Sequence, residues 1–166
     1  MCQTRSWNWR VYAWTRAKLV HIVLVDANIS DPMTTERTLF ERFGGLDGVR
    51  AIVDRFYDLM DARPDARELR DLHGADLMSA REKLFAFLCG WLGGPPLYVR
   101  QYGHPRLRAR HLPFAIDARA RDQWLLCMRA AFDESPALAL DRQADTDAWT
   151  ALARLADHMR NQPEAD

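Results

Sequence analysis

Apolar and polar residues follow a helical period along most of the chain after Met33. Between residues 49 and 62, apolar side chains recur every three or four positions, as on one face of an amphipathic helix. The residues of that face are Val49, Ile52, Val53, Phe56 and Met60. A shorter helix is predicted before it, which Thr34 or Thr35 can cap and which Gly44-Gly45 ends.

Three further segments repeat this period. Asp76 can cap a helix that Gly93-Gly94-Pro95 stops, and residues 117–132 and 145–160 each carry apolar side chains on one side. No strand pattern follows Met33. The sequence therefore predicts an all-α domain over residues 33–166.

The segment from Pro95 to Ile116 interrupts the pattern, because its prolines and glycines break any long helix. Only Arg106–His111 is long enough for one helical turn, and Pro113 stops that turn from continuing. A neutral histidine held at the end of such a turn could ligate haem iron through one ring nitrogen while the other nitrogen donates to a backbone carbonyl. From these residues alone, a histidine satisfied by a local hydrogen bond is the more usual interpretation of His111.

Residues 1–32 differ from the rest of the chain. They carry three tryptophans, four basic residues before the first acid, Asp26, and no sustained period. A signal peptide is not predicted, because the tryptophans replace a smooth apolar core and no small-residue cleavage site follows. Three interpretations stay open: a disordered extension, a partner-binding arm, or sequence upstream of a true start at Met33.

Composition and motifs exclude several classes of function. Lys plus Arg and Asp plus Glu number 23 each, so no overall positive charge favours nucleic acid or anionic lipid. No apolar run reaches the roughly 18 residues of a membrane span. Three widely spaced cysteines favour a reducing cytoplasm. Neither a phosphate-binding glycine loop nor a serine-nucleophile motif occurs, and His73, His104 and His111 lack the spacing and the fourth ligand of a zinc site.

The segment from about Thr38 to Glu134 resembles the group II truncated haemoglobins. The motifs that carry the resemblance are Gly44-Gly45, Gly93-Gly94, Tyr98 with Gly103–Arg108, the proximal-histidine segment Arg110–Ile116, and the tryptophan-bearing segment Trp124–Met128. The resemblance implies a truncated globin-like two-over-two helical sandwich around haem b. In that fold, helices 49–62 and 76–92 pack against helices 117–133 and 145–160, and His111 is the proximal ligand of a five-coordinate iron.

The resemblance also implies roles for other residues around the haem. Tyr57 and the indole of Trp124 would donate hydrogen bonds to a bound ligand, and His73 would be a third donor whose role depends on its protonation. A small residue at position 80 would leave access for the ligand. The haem pocket would be formed by Phe56, Ala80, Leu84, Phe87, Leu88, Leu107, Phe114 and Met128.

Three arginines of the proximal turn, Arg106, Arg108 and Arg110, could pair with haem propionates or form a solvated face. The resemblance selects Arg110, together with Tyr98, as the propionate partners.

The function implied is reversible binding of O₂ or another diatomic ligand, with NO, CO, peroxide and sulfide as further candidates. Two alternatives stay open: a haem redox enzyme, for nitric oxide dioxygenation or peroxidase-like turnover with an unknown reductase, and a haem-based sensor that uses residues 1–32. We expect a cytoplasmic protein with no nucleic-acid partner and no membrane span, and a homodimer is left open.

Overall fold

The computed structural model describes residues 36–163, and the regular structure within them is entirely helical. The helices are α1 Leu39–Arg42, α2 Gly45–Ala62, α3 Arg67–Asp71, α4 Met78–Trp91, α5 Leu97–Tyr102, α6 Leu107–His111, α7 Ala118–Asp133, α8 Pro136–Leu140 and α9 Arg142–Met159, with a 3-10 turn at Pro64–Ala66. The predicted all-α class is confirmed. The predictions made for residues 1–32 lie outside the described residues.

Helix α1 begins at a different cap from the one predicted. The Thr38 side chain accepts a hydrogen bond from the Glu41 N–H (3.3 Å), and the Glu41 carboxylate accepts one from the Thr38 N–H (2.9 Å). This reciprocal capping box fixes the helix start at Thr38. The prediction of a cap at Thr34 or Thr35 was therefore wrong, because Thr38 is the threonine with a glutamate three residues later.

The long helices pack as two pairs. Helix α2 contacts both α4 and α7, and α7 contacts α9, so the α2–α4 pair meets the α7–α9 pair through α2 and α7. The predicted apolar face of α2 is buried throughout. Burial of such a face is the main favourable contribution to the stability of a helical core. Among the largest fully buried side chains are Phe43, Phe56, Phe132, Met60 and Met128.

Helix α4 starts close to its predicted cap and stops at the predicted glycines. Asp76 Oδ1 accepts a hydrogen bond from the Met78 N–H (2.9 Å), although Leu77 occupies the N-cap position itself. After the helix, Gly93 adopts a φ of 89°, a left-handed conformation that glycine adopts without strain.

The segment from Pro95 to Ile116 contains more helix than predicted. The turn at Leu107–His111 is present as expected, but α5 (Leu97–Tyr102) also forms. The prolines before α5 are compatible with it, because the first turn of a helix does not use their missing N–H groups. Gly103, with a φ of 73°, ends α5.

No helix within residues 36–163 has both the length and the apolar character needed to cross a membrane.

Candidate functional site

A cavity of about 610 Å³ lies among the helices and carries the candidate site. Its volume falls in the range of small-molecule and cofactor pockets, and its lining is mostly apolar. The predicted site residues that line it are Tyr57, His73, Ala80, Leu84, Phe87, Leu88, Tyr98, Leu107, Arg110, His111, Phe114 and Trp124. The structure thus brings together residues from α2 to α7 in one cavity.

Phe56 and Met128, which were predicted to belong to the haem pocket, do not line this cavity. Both are fully buried in the core. The Phe56 ring lies 4.9 Å from the Tyr57 ring and 5.3 Å from the Trp124 ring, between centroids. Neighbouring residues of a helix point about 100° apart, so Phe56 packs behind Tyr57 and supports it.

The imidazole of His111 is fixed by its own helix turn. Its Nδ1 lies 2.7 Å from the carbonyl oxygen of Leu107. A carbonyl only accepts, so Nδ1 carries the ring proton, and the neutral ring then has its free lone pair on Nε2. This is the arrangement in which a histidine can ligate a metal while its other nitrogen is held by the backbone.

The arginines of the proximal turn have separate partners. Arg108 Nη1 donates to the carbonyls of His158 and Arg160, so this guanidinium already has partners at the end of α9. Arg110 lines the cavity, donates to the carbonyl of Pro105 (2.9 Å), and places its guanidinium 5.8 Å from the ring centre of Tyr98. Of the three arginines, only Arg110 lines the cavity.

Tyr57 and Trp124 bring two hydrogen-bond donors to the cavity. Tyr57 is 5% exposed, and burial raises the pKa of its hydroxyl, so the group stays protonated at neutral pH. Within residues 36–163, neither the Tyr57 hydroxyl nor the Trp124 indole N–H has a hydrogen-bond partner. Both protons are therefore available to a bound ligand.

His73, the third predicted donor, lines the cavity and is held by a local hydrogen bond. Its Nδ1 lies 2.9 Å from the carbonyl oxygen of Leu69, and its ring packs edge-on against Tyr57 at 6.0 Å. Burial is the main cause that lowers the pKa of His73. The positive charge of Arg70 lowers it further, while the bond to the Leu69 carbonyl acts in the opposite direction. The neutral ring donates to Leu69 through Nδ1, so its Nε2 can only accept.

Sequence reasoning missed two cations of the cavity wall, Lys83 and Arg121, of which Arg121 is paired with Asp122 and Asp157. Lys83 lines the cavity and is exposed, and its ammonium has no ion pair among the described residues. It lies three residues after Ala80 and four before Phe87, so all three share one face of α4. That spacing was the signal that could have identified it.

The pocket fits a haem group. A neutral imidazole with a free Nε2, apolar walls, and the exposed cations Arg110 and Lys83 match an iron porphyrin with two carboxylates. Phe114 lines the cavity and is 46% exposed, an apolar surface that a porphyrin would cover. Within residues 36–163, no cluster of three or more His, Cys, Asp or Glu side chains offers a different metal site.

Comparisons with known proteins point the same way. The model of the bacterial-like globin family matches residues 38–161. The chain is 40% identical over 115 residues to the group 2 truncated hemoglobin YjbI of Bacillus subtilis, an alignment that covers 69% of this chain and 83% of the relative.

Solved structures agree with the sequence comparison. The group II 2-on-2 hemoglobin of Agrobacterium tumefaciens aligns with a TM-score of 0.74 and 45% identity, covering 79% of this chain and 100% of that one. The cold-adapted truncated hemoglobin of Pseudoalteromonas haloplanktis aligns with a TM-score of 0.73 and 42% identity, covering 76% of this chain and 100% of the other.

The chain therefore belongs to the bacterial-like globins and, within them, to the group II truncated haemoglobins. It is a haem-binding globin with the two-over-two helical fold predicted from the sequence.

Proposed function

We propose that this globin binds O₂ reversibly at a haem b whose iron is ligated by Nε2 of His111. One observation carries the proposal: two protonated donors without protein partners, Tyr57 and Trp124, share a cavity with a histidine whose Nδ1 proton is already engaged. The family supports a gaseous ligand, and the donors favour one that acquires negative charge when bound.

Haem, when bound, supplies an iron at which a diatomic ligand binds. The chain's own residues hold the group and tune the site. Leu84, Phe87 and Phe114 provide apolar walls that exclude water, and Arg110 and Lys83 provide positive charge for the two propionates. The proton of Tyr57 stays on its hydroxyl, because burial raises the pKa of that group.

Among the described residues that line the cavity, Asp76 is the one carboxylate, and one of its oxygens is engaged by the Met78 N–H (2.9 Å). Among the described residues, the two cysteines Cys89 and Cys127 are buried and form no disulfide. Free thiols of this kind support our proposal that the protein works in a reducing cytoplasm.

The first experiment tests ligation. Wild type, His111→Ala and the control His104→Ala are loaded with haem, and their reduced, CO and O₂ absorption spectra are recorded. We expect altered or absent haem bands only in His111→Ala, with partial recovery on adding imidazole, because His104 only makes a local contact with the Arg106 N–H. Unaltered spectra in His111→Ala would rule out the proposed ligand.

The second experiment tests the donors by stopped-flow measurement of O₂ dissociation. Tyr57→Phe keeps the ring contacts and removes one hydrogen bond, so we expect dissociation to accelerate about five- to tenfold, with a similar effect for Trp124→Phe. Tyr102→Phe is the control, because Tyr102 does not line the cavity. If neither Tyr57→Phe nor Trp124→Phe changes the rate, these donors do not stabilise the ligand.

A further inference from the structure

The long-range hydrogen bonds of the segment that carries His111 reach the end of α9 and the residues just after it. The Asn161 side-chain N–H₂ donates to the carbonyls of His111 (3.1 Å) and Phe114 (2.8 Å). Its side-chain oxygen accepts from the Ile116 N–H (3.0 Å), and its own backbone N–H donates to the Ile116 carbonyl (2.9 Å). One asparagine thus binds the main chain on both sides of Pro113.

Few other polar contacts hold this segment. Helix α6 has only five residues, and its N-cap Arg106 has a φ of 43°, a conformation that costs energy for a residue other than glycine. Within residues 36–163, the hydrogen bonds that join residues 106–116 to sequence-distant positions all reach residues 158–162. Asn161 makes most of these bonds.

We propose that Asn161 is the positioning residue of the proximal histidine. The bond from His111 Nδ1 to Leu107 lies within α6, so it fixes the ring relative to the helix but not relative to the cavity. The bonds from Asn161 fix the backbone of the helix end and of the following turn, and thereby the direction in which Nε2 meets the iron. This inference rests on the proposed ligation by His111.

The chemistry of the side chain explains why an amide is needed. The position requires a donor toward two carbonyls and an acceptor toward one N–H, and an amide offers both in one plane. An aspartate has the same size and keeps the acceptor, but it places an oxygen against the two carbonyl oxygens. Asn161→Asp is therefore the sharpest variant, and Asn161→Ala removes the bonds without adding repulsion.

The test uses the full-length, haem-loaded ferrous protein. Resonance Raman spectroscopy measures the iron–histidine stretching band, and transfer of haem to an excess of an apoglobin acceptor measures haem loss. We expect Asn161→Asp and Asn161→Ala to shift or broaden the band and to accelerate haem loss about five- to tenfold. Gln162→Ala is the control, because it keeps the backbone bond to Ile116 and removes only the long contact of its side chain with the Asn161 side-chain oxygen (3.5 Å).

The outcomes separate the two proposals. If wild type and Gln162→Ala show the same iron–histidine band, and both Asn161 variants show it unmoved, the positioning role is wrong even if the variants melt at lower temperature. If Asn161→Asp does not fold, Asn161→Ala alone decides. If the band survives in His111→Ala, the proposed ligation itself is wrong.

Discussion

The two histidines that line the cavity, His73 and His111, make the same kind of local hydrogen bond. His73 and His111 each place Nδ1 within hydrogen-bond distance of the carbonyl four residues earlier, Leu69 and Leu107 respectively. In the neutral state both rings therefore carry the proton on Nδ1 and a lone pair on Nε2. Ring chemistry does not distinguish the two. The assignment of His111 as the ligand rests on the proximal-histidine segment around it.

Protonation of His73 should make O₂ release pH-dependent. Burial, assisted by the positive charge of Arg70, lowers the pKa of His73, so the ring is neutral at pH 7 and accepts a proton only in more acidic solution. The protonated ring would have a second donor, Nε2–H. We therefore predict that O₂ dissociation slows several-fold as the pH falls from about 7 to about 5, the size expected for one charge-assisted hydrogen bond.

Stopped-flow O₂ dissociation across this pH range checks the prediction. His73→Phe should give a flat profile, because it keeps an aromatic ring beside Tyr57 and removes the titrating nitrogen. Tyr57→Phe should be faster at every pH and should still slow in acid. The same pH profile in wild type and His73→Phe would show that His73 does not act on the ligand.

At the level of helices, the second glycine pair lets α1 approach the end of α4 closely. The backbone N–H of Phe40 donates to the carbonyl of Leu92 (2.8 Å), and its ring covers Gly94. A Cβ atom at Gly94 would lie 2.4 Å from the ring of Phe40. This contact requires glycine for reasons of space.

Gly94→Ala should therefore destabilise the fold. Phe40 and α1 would have to move, and overpacking of this kind costs about 1–3 kcal/mol of unfolding free energy. Urea unfolding followed by circular dichroism measures the change. Gly74→Ala is the matched control, because nothing lies within 4 Å of a Cβ atom there. Equal stability of the two variants would contradict the packing argument.

Most of the helices were predictable from the sequence, because a helix that buries one face has apolar residues at every third or fourth position. The apolar face of α2 and the stop at Gly93 show this. Helix α5 was missed, because prolines break a helix interior but not its first turn. The capping box at Thr38 was missed although its threonine–glutamate spacing is present in the sequence.

Which side chains line the cavity was harder to predict from the sequence than where the helices lie. Phe56 lies beside Tyr57 in sequence, but only the packing of α2 against α7 shows that its ring is behind the wall. The neutral state of His73 depends chiefly on its burial, which a linear sequence does not display. For residues such as Phe56 and His73, the role implied by the family resemblance therefore depends on packing and hydrogen bonds that only the structure shows.

On the scale of the whole globin domain, an ion pair joins α1 to α9, the first and last of the described helices. Arg42, at the end of α1, donates to both carboxylate oxygens of Asp141 (2.9 and 2.8 Å). Asp141 is also the N-cap of α9 and accepts from the Ala144 N–H (3.1 Å). The Asp141 carboxylate thus caps the N-terminus of α9 and also binds the end of α1 through Arg42.

This arrangement predicts how the domain responds to acid. The hydrogen bonds from Arg42 and from the Ala144 N–H hold the pKa of Asp141 well below its usual value. A carboxylate with a lowered pKa stabilises the fold above the pKa of the unfolded chain, roughly 3.9, and that stability is lost as the pH falls toward the folded-state value. We expect the melting temperature of Asp141→Asn to lie below that of wild type at pH 7, with the difference shrinking between about pH 4 and pH 2.

Melting curves followed by circular dichroism between pH 7 and pH 2 measure this difference. Loss of haem in acid affects wild type and variant alike, so the difference between their melting temperatures isolates Asp141. Asparagine also caps helices well, so the variant retains the start of α9 and loses chiefly the ion pair with Arg42. Asp147→Asn, on the same helix, is the control. Its carboxylate is hydrogen-bonded to Gln143 and acts on Arg42 only through its charge, so its melting temperature should differ from wild type less than that of Asp141→Asn. A difference that stays constant down to pH 2 would show that the carboxylate charge does not join the first helix to the last.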